Sequence, residues 1–248
     1  MTIPERYSPS SDLLEGRVVL VTGAGQGLGR AVALACAKHG ATVALLGRRQ
    51  EKLEATYDEI TAAGGPEPAL IPLDLETAGT AEFEALAQLV RKDLKRLDGI
   101  AHCAAHFVPL GPLENQTLEV WNRLLRVNLA APFAITRACL PLLNAAPDPS
   151  VVFTGETHGA EPKAYWGGFA VSKSGLSTLA AVWADELEQA GKPRINVLVP
   201  GPIATPQRRR SHPGEDPAKL RSAEEAARAF LWLLGPEGAG TSGKTLRM

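Results

Sequence analysis

The chain has 248 residues, of which 45% are hydrophobic and 21% are charged, and its formal net charge is −1. A chain of this length and composition forms a large core and needs no disulfide bonds to stabilise it. Since the net charge is close to zero, we expect neither a nucleic-acid partner nor a membrane partner. No apolar run approaches the roughly 20 residues that a membrane-spanning helix needs.

The cysteines and the first residues bear on the compartment. Cys36, Cys103 and Cys139 are widely spaced and form no CxxC pair, which is typical of small buried side chains in a reducing environment. Residues 1–16 are polar and contain two prolines, unlike a secretory signal. We therefore expect a cytoplasmic protein.

Short apolar runs alternate with segments of helical periodicity along the whole chain. In chain order the predicted elements are a strand at 17–22, a helix at 27–39, a strand at 41–46, a helix at 50–63, a strand at 69–73, a helix at 81–95, a strand at 97–102, a helix at 120–144, a strand at 150–154, a helix at 169–190, a strand at 195–199, a helix at 223–234 and a short strand at 244–247. Pro132 stands where it could break the helix at 120–144.

The order and composition of these elements predict the fold class. The strands are continuous apolar runs, which indicates a sheet covered on both faces. Repeated βα units imply right-handed crossovers, so we expect a doubly wound Rossmann fold, an α/β fold with a parallel sheet of about seven strands and helices on both faces. No linker or repeat divides the chain. We therefore expect one domain over residues 1–248, with 1–16 as a polar N-terminal extension.

The turn after the first strand contains four glycines. Residues 22–29 read TGAGQGLG, between an apolar strand and an amphipathic helix. Glycines let the backbone approach a pyrophosphate, and the start of the helix directs free N–H groups at the anion. The context favours a nicotinamide dinucleotide site over a glycine turn without a ligand. The residues predicted to form it are Gly23, Gln26, Gly27, Leu28 and Gly29.

Later motifs follow in an order that resembles a known family. Asp74-Leu75 ends the third strand, Asn128 lies in the sequence VNL, residues 169–173 read FAVSK, and Pro200-Gly201 follows the sixth strand. With the TGxxxGxG spacing of the first turn, these motifs resemble the short-chain dehydrogenase/reductase family over nearly the whole chain. The segments most similar to its YciK-like subgroup are 12–14, 45–48 and 165–168.

The resemblance implies where the cofactor, the substrate and a second subunit bind. Beyond the first turn, the implied cofactor-binding residues are Asp74, Leu75, Ala104, Asn128, Lys173, Pro200, Gly201 and Ile203. Residues of about 202–222 correspond to a substrate lid for an unknown carbonyl or alcohol. There the arginines at 208–210 are either a solvated charge run or a site for an anion. The helices at 120–144 and 169–190 correspond to the family's dimer interface and imply a homodimer or homotetramer. Their apolar content is equally that of an ordinary core.

The end of the second strand bears on the choice of cofactor. NAD-dependent enzymes usually place an acid there, to bind the 2′-hydroxyl of the ribose. This chain has Gly47, then Arg48 and Arg49, with no acid before Glu51. A guanidinium suits a 2′-phosphate by charge and geometry, so Arg48 favours NADP(H) over NAD(H). The alternative is that both arginines are solvated surface residues.

Two of the family's four active-site positions are substituted. Lys173 and Asn128 correspond to the family's lysine and asparagine. Phe169 stands where a tyrosine protonates the carbonyl oxygen, and Glu156 stands where a serine polarises it. Loss of a general acid removes about 10²–10⁴-fold of rate, and loss of an oxyanion donor removes a further 10²–10³-fold or so.

These substitutions leave two hypotheses for function. The chain is either an oxidoreductase with weak carbonyl turnover or another proton donor, or a non-catalytic binding module that senses the dinucleotide. The substitute donors considered are Tyr165, His158 and Glu156 itself. His102 and His106 are four residues apart without further ligand spacing, so we expect no metal site.

Overall fold

The computed structural model of the protein describes residues 3–4, 7–190 and 192–248. Seven parallel strands form one sheet in the order β3-β2-β1-β4-β5-β6-β7. The strands are β1 (Val18–Thr22), β2 (Thr42–Gly47), β3 (Ala69–Pro72), β4 (Gly99–His102), β5 (Ser150–Thr154), β6 (Arg194–Val199) and β7 (Thr245–Arg247). The predicted doubly wound Rossmann fold is confirmed.

The α-helices connect these strands. They are α1 (Gly27–Lys38), α2 (Gln50–Ala62), α3 (Thr80–Leu89), α4 (Leu118–Leu125), α5 (Ala131–Ala145), α6 (Thr157–Ala160), α7 (Gly167–Glu186), α8 (Pro206–Ser211) and α9 (Ala223–Leu234). None of the helices in the described part of the chain is long and apolar enough to cross a membrane.

The central strand β1 shows why the strand sequences are continuously apolar. Side chains of a strand alternate between the two faces of a sheet. Val19 and Val21 belong to the core on the side of α1 and α9, whereas Val18 and Leu20 belong to the core on the side of α3, α5 and α7. Since both faces are covered by helices, the first four residues of the strand are all apolar, and the polar Thr22 stands at its carboxyl end.

The described part of the segment at 1–16 packs against the domain. Leu14 is fully buried in the core beside α1, and its N–H donates to the carbonyl oxygen of His39 at 2.9 Å. Residues 1, 2, 5 and 6 of the predicted N-terminal extension lie outside the described residues.

The predicted helix at 120–144 consists of three helical segments without a break at Pro132. α4 continues through one π-helical turn at Arg126–Ala130 into α5. Pro132 is the second residue of α5, a position at the start of a helical segment where proline is tolerated. Pro141 lies further inside the same helix.

One further long helix has other bounds than the sequence predicted, and two short helices were not predicted. The helix predicted at 169–190 begins two residues earlier, at Gly167, and ends at Glu186 before a short 3₁₀ turn. The short helices α6 and α8 were not predicted, because four to six residues are too few to show helical periodicity. Each is capped by the residue before it, since the side chains of Glu156 and Thr205 accept backbone N–H groups.

The strand order reverses direction at β1. From β1 the chain fills the sheet on one side with β2 and β3, and on the other side with β4 to β7. At such a point the loops after neighbouring strands diverge and leave a crevice at the carboxyl ends of the strands. The candidate site lies in this crevice.

Candidate functional site

A cleft lies at the carboxyl ends of the central strands and is bordered by α8. Most of the residues predicted from the sequence line it. Those residues are Gly23, Gln26, Gly27, Leu28, Gly29, Arg48, Asp74, Leu75, Ala104, Glu156, Phe169, Lys173, Pro200, Gly201 and Ile203. The predicted residue that does not line the cleft is Asn128.

The glycines of the first turn are needed for different structural reasons. A Cβ on Gly23, which has a φ of +71°, would lie 2.9 Å from the Cα of Ala104, and a Cβ on Gly29 would collide with the carbonyl oxygen of Gly23. Gly27 has a φ of +56°, and a Cβ there would make ordinary contact with Pro206 of α8 at 3.6 Å. The first two glycines bring strand and helix together, whereas the third is favoured by its left-handed backbone conformation.

The start of α1 fits an anionic group. The first turn of this helix contains no acidic residue, and Gln26 makes no side-chain cap. The N–H groups of that turn therefore lack a capping partner and direct their partial positive charge into the cleft. The side chain of Gln26 instead accepts hydrogen bonds from Arg49 and Lys52, both at 2.7 Å. Free backbone amides at the start of a helix that follows a glycine-rich turn are a typical cradle for a pyrophosphate.

Three basic side chains line the cleft beyond β2. Arg48, Arg49 and Lys52 follow the end of this strand. Arg48 is exposed and makes no hydrogen bond or ion pair with the described residues. The first acidic residue of α2, Glu51, is not among the residues that line the cleft. A dianionic phosphate therefore fits this corner better than a ribose hydroxyl.

The segments that follow β3, β4 and β6 form the other walls of the cleft. The Asp74 carboxylate accepts the N–H of Glu76 at 3.0 Å. The N–H of Ala104 donates to the hydroxyl of Thr22 at 3.1 Å and joins the loop after β4 to the end of β1. The carbonyl oxygen of Pro200 accepts Arg221 at 3.1 Å. These contacts fix the backbone around the cleft.

Lys173 of α7 lies beneath the far end of the cleft, which we call the reaction end. Its Nζ donates to the carbonyl oxygen of Thr154 at 2.8 Å, and the residue is 4% exposed. Burial lowers the pKa of Lys173 to about 8, against the opposing effects of Glu156 and Cys103. Burial also raises the pKa of the Cys103 thiol to about 12, so this thiol is neutral at physiological pH.

Phe169 occupies the reaction end as a buried ring that is only 1% exposed. Its ring meets Phe107 edge-on at 5.1 Å between centroids and lies 6.1 Å from the Trp166 ring. The Nζ of Lys173 is 5.9 Å from the Phe169 centroid. The scaffold that would hold a phenol beside the lysine is therefore present, and it holds a hydrocarbon.

Glu156 also lines the cleft. Its carboxylate accepts the N–H of Thr157 at 3.0 Å and caps α6. Two other sequence-derived proton donors lie away from the cleft. Tyr165 is 60% exposed and does not line it. His158 does not line it either, and its ring packs against that of Trp166 at 4.3 Å between centroids, with the two planes tilted by 46°.

Asn128 is fully buried behind the cleft. Its Oδ1 accepts the N–H of His106 at 2.7 Å, and its Nδ2 donates to the carbonyl oxygen of His106 and to the Ser172 hydroxyl, both at 3.0 Å. Its amide thus holds the loop after β4 against α7.

His102 and His106 lie in different surroundings. His102 is buried beside Thr136, 2.9 Å from its hydroxyl, and burial lowers the pKa of His102 to about 3, with a smaller effect from Lys173. His106 lines the cleft, and burial lowers its pKa. The described residues contain no group of three or more His, Cys, Asp or Glu side chains that could hold a metal ion.

The three arginines at 208–210 differ in surroundings. Arg208 pairs with Glu215 through two hydrogen bonds, at 2.5 and 2.8 Å. Arg210 lines the cleft, with its guanidinium 5.9 Å from the Phe107 centroid. Arg209 is exposed and lies outside the cleft. The run is therefore not a single charged surface.

Some lining residues were not predicted from the sequence. Lys52 was missed, although its place four residues after Arg48 on a helix start was a usable signal. Trp166 was missed because no local pattern distinguishes an aromatic residue of a cleft from one of the core.

Comparisons with known proteins agree with this geometry. A family model described as short chain dehydrogenase matches residues 17–216. The chain is 38% identical over 239 residues to the uncharacterized oxidoreductase YciK of Escherichia coli strain K12, covering 96% of this chain and 94% of YciK.

Solved structures match the whole fold. A short chain dehydrogenase from Pseudomonas syringae has a TM-score of 0.95 at 39% identity, covering 100% of this chain and 99% of the other. A Shigella flexneri 2a short chain dehydrogenase complexed with NADP has a TM-score of 0.93 at 37% identity, covering 96% and 99%. An Escherichia coli CFT073 protein complexed with NADPH has a TM-score of 0.93 at 38% identity, covering 96% and 99%. The chain therefore belongs to the short-chain dehydrogenase family, and its resemblance to YciK is confirmed.

Proposed function

We propose that this cleft binds NADP(H) and that the protein is an oxidoreductase whose reduction of ordinary carbonyls is weak. The observation that carries the cofactor assignment is the corner of Arg48, Arg49 and Lys52, which are basic residues that line the cleft beyond β2. The uncapped N–H groups at the start of α1, whose first residues line the cleft, fit the pyrophosphate. Similar proteins bound to NADP and NADPH support the same assignment.

The test of the cofactor assignment is a titration of the purified protein with NADPH and NADH. Arg48→Ala removes a charge-assisted contact to the 2′-phosphate, so the preference for NADPH should fall about tenfold or more. Arg91→Ala, an exposed arginine outside the cleft, is the control. An unchanged ratio of the two affinities in Arg48→Ala would show that this side chain does not read the phosphate.

The chain's own residues account for the weak carbonyl chemistry. NADPH supplies a hydride when it is bound. A carbonyl oxygen that receives the electron pair then needs a proton, and Phe169 has none to give. The Glu156 carboxylate opposes the negative charge that builds on that oxygen, whereas Lys173 is held on the carbonyl oxygen of Thr154. Absence of the general acid alone corresponds to about 10²–10⁴-fold of rate.

A non-catalytic dinucleotide sensor is the second candidate. The observation that favours it is that the packed rings of Phe169 and Trp166 line the reaction end, which gives it an aromatic wall without a hydroxyl. In that case dinucleotide binding would have a regulatory role, and substrate turnover would be absent.

A double variant distinguishes the two candidates. Phe169→Tyr adds the phenol beside Lys173, and Glu156→Ser adds a hydroxyl and removes the charge. We expect the double variant to gain about 10²-fold or more in NADPH-dependent reduction of diketones or quinones, and more than the sum of the single variants. Phe133→Tyr, which adds a phenol outside the cleft, is the control. A folded double variant that binds NADPH without any gain would favour the sensor.

A further inference from the structure

The carboxylate of Glu156 is a fixed part of the cleft wall. Gly155 before it donates its N–H to the carbonyl oxygen of Leu198 at 2.8 Å. A Cβ on Gly155 would lie 2.7 Å from a methyl carbon of Val197, so the backbone is packed tightly on β6. With the hydrogen bond from Thr157 to its side chain, Glu156 has little freedom to turn away from the cleft.

This carboxylate has no salt-bridge partner in the described part of the chain. The Nζ of the nearby Lys173 donates to the carbonyl oxygen of Thr154. Lys173 and Glu156 do not form an ion pair with each other at 4 Å or less. The charge of Arg208 is balanced by Glu215. The negative charge of Glu156 favours the charged form of Lys173, but no direct ion pair neutralises it, so it also acts on a ligand in the cleft.

The aromatic rings of Phe169 and Trp166 line the reaction end. The face of an aromatic ring is electron-rich and attracts cations. Lys173 already lies over Phe169, with its Nζ 5.9 Å from the ring centroid. The ring of Trp166 packs against His158 and His212, at 4.3 and 6.2 Å between centroids, and no lysine or arginine of the described residues lies over it.

We propose that the reaction end selects a cationic electrophile of the iminium class, a substrate with a C=N⁺ double bond, in place of a neutral carbonyl. The proposal rests on the NADP(H)-dependent function given above. Addition of a hydride from NADPH to the iminium carbon forms a C–H bond and moves the C=N electron pair onto nitrogen, which yields a neutral amine and NADP⁺. This reduction consumes no proton.

The substitutions at both family positions have the same consequence for such a substrate. Phe169 is not required to protonate anything, because no alkoxide forms. Glu156 attracts the iminium charge in the bound substrate, whereas it would repel an alkoxide. The two changes that weaken carbonyl reduction are thus compatible with reduction of a cation.

Binding of unreactive probes tests the charge preference directly. Calorimetric titrations of the full chain, saturated with NADPH, would compare N,N-dimethylpiperidinium with 1-methylcyclohexanol, a neutral tertiary alcohol of similar shape. We expect the cation to bind about tenfold more tightly. Glu156→Gln keeps the shape and removes the charge, so this preference should disappear. Glu161→Gln, an exposed carboxylate outside the cleft, should retain it.

A turnover assay follows the same comparison. NADPH oxidation should be at least about tenfold faster with 2-methyl-1-pyrroline, which is protonated to an iminium, than with cyclopentanone. Absence of NADPH binding overturns the proposed function and this inference together. NADPH binding with equal affinity for the two probes, or a cation preference that survives in Glu156→Gln, overturns this inference alone.

Discussion

Lys173 is a buried ammonium whose charge bears on folding. Burial lowers its pKa to about 8 in the folded protein, whereas the pKa of an exposed lysine is about 10.4. The groups that act on it or feel its charge are Glu156, Cys103 and His102. Between the two pKa values the unfolded chain holds more protons than the folded one. The free energy of unfolding therefore increases as the pH rises above about 8, because the buried lysine loses its charge. Below that pH the lysine stays charged and this increase is absent.

A comparison of the wild type with Lys173→Met isolates this contribution. Denaturant unfolding of both proteins would be measured at about pH 7.5, 8.5 and 9.5. Over this range the free energy of unfolding of the wild type should rise relative to that of the variant, by at most about 1.4 kcal/mol per pH unit. Cys103, with its pKa near 12, is present in both proteins and cancels. A constant difference over this range would mean that Lys173 is not desolvated.

At the scale of elements, α5 and α7 carry the surface that the resemblance assigns to a second subunit. Val171 and Val182 lie three turns apart on one face of α7 and are exposed, as is Phe133 of α5. Phe133 stacks on Trp183 of α7 at 5.5 Å between ring centroids, which joins the two helices into one apolar surface. We propose that this surface forms the interface of a homodimer or homotetramer.

Val182→Glu tests the interface. A carboxylate buried without a partner in a subunit interface is strongly unfavourable, so light scattering should give a smaller assembly than for the wild type. Leu89→Glu at the end of α3 makes the same change at another exposed apolar residue and should leave the mass unchanged. A monomeric wild type would contradict the proposal at once.

At the scale of the whole molecule, Asp148 joins elements that are far apart in the sequence. Its carboxylate pairs with Arg17 before β1 at 2.9 Å and with Arg194 of β6 at 3.1 Å. Arg194 also donates to the carbonyl oxygens of Leu233 and Gly235 at the end of α9. These contacts hold the amino-terminal edge of the sheet, opposite the cleft.

Asp148→Asn should therefore lower the free energy of unfolding without changing the affinity for NADPH. Removing one partner leaves the buried Arg194 without its counter-charge, and since Asp148 is one-third exposed, we expect a loss of about 2 kcal/mol. Glu59→Gln breaks the exposed pair with Arg30 and should change stability by less than about 1 kcal/mol. Denaturant unfolding measures both, and equal losses would count against the network.

The order of strands and helices and the glycine turn could be predicted from the sequence because their signals are local. An apolar run such as residues 17–22 indicates a buried strand wherever it occurs. The glycine pattern at 22–29 is needed by the turn itself, since Gly23 and Gly29 have no room for a Cβ. Arg48 could also be predicted from the sequence, because it directly follows the end of the second strand, where the chain reaches the cleft.

The sequence by itself thus determined the fold class, the phosphate end of the cleft and the loss of a phenol at Phe169. Only the tertiary structure decided which side chains share the reaction end. It placed Trp166 in the cleft and its neighbour Tyr165 outside, and it put Asn128 behind the cleft wall. The physical reason is that these placements depend on contacts among α7, the loop after β4 and the region of α8, which are distant in the chain and meet only after the sheet has formed.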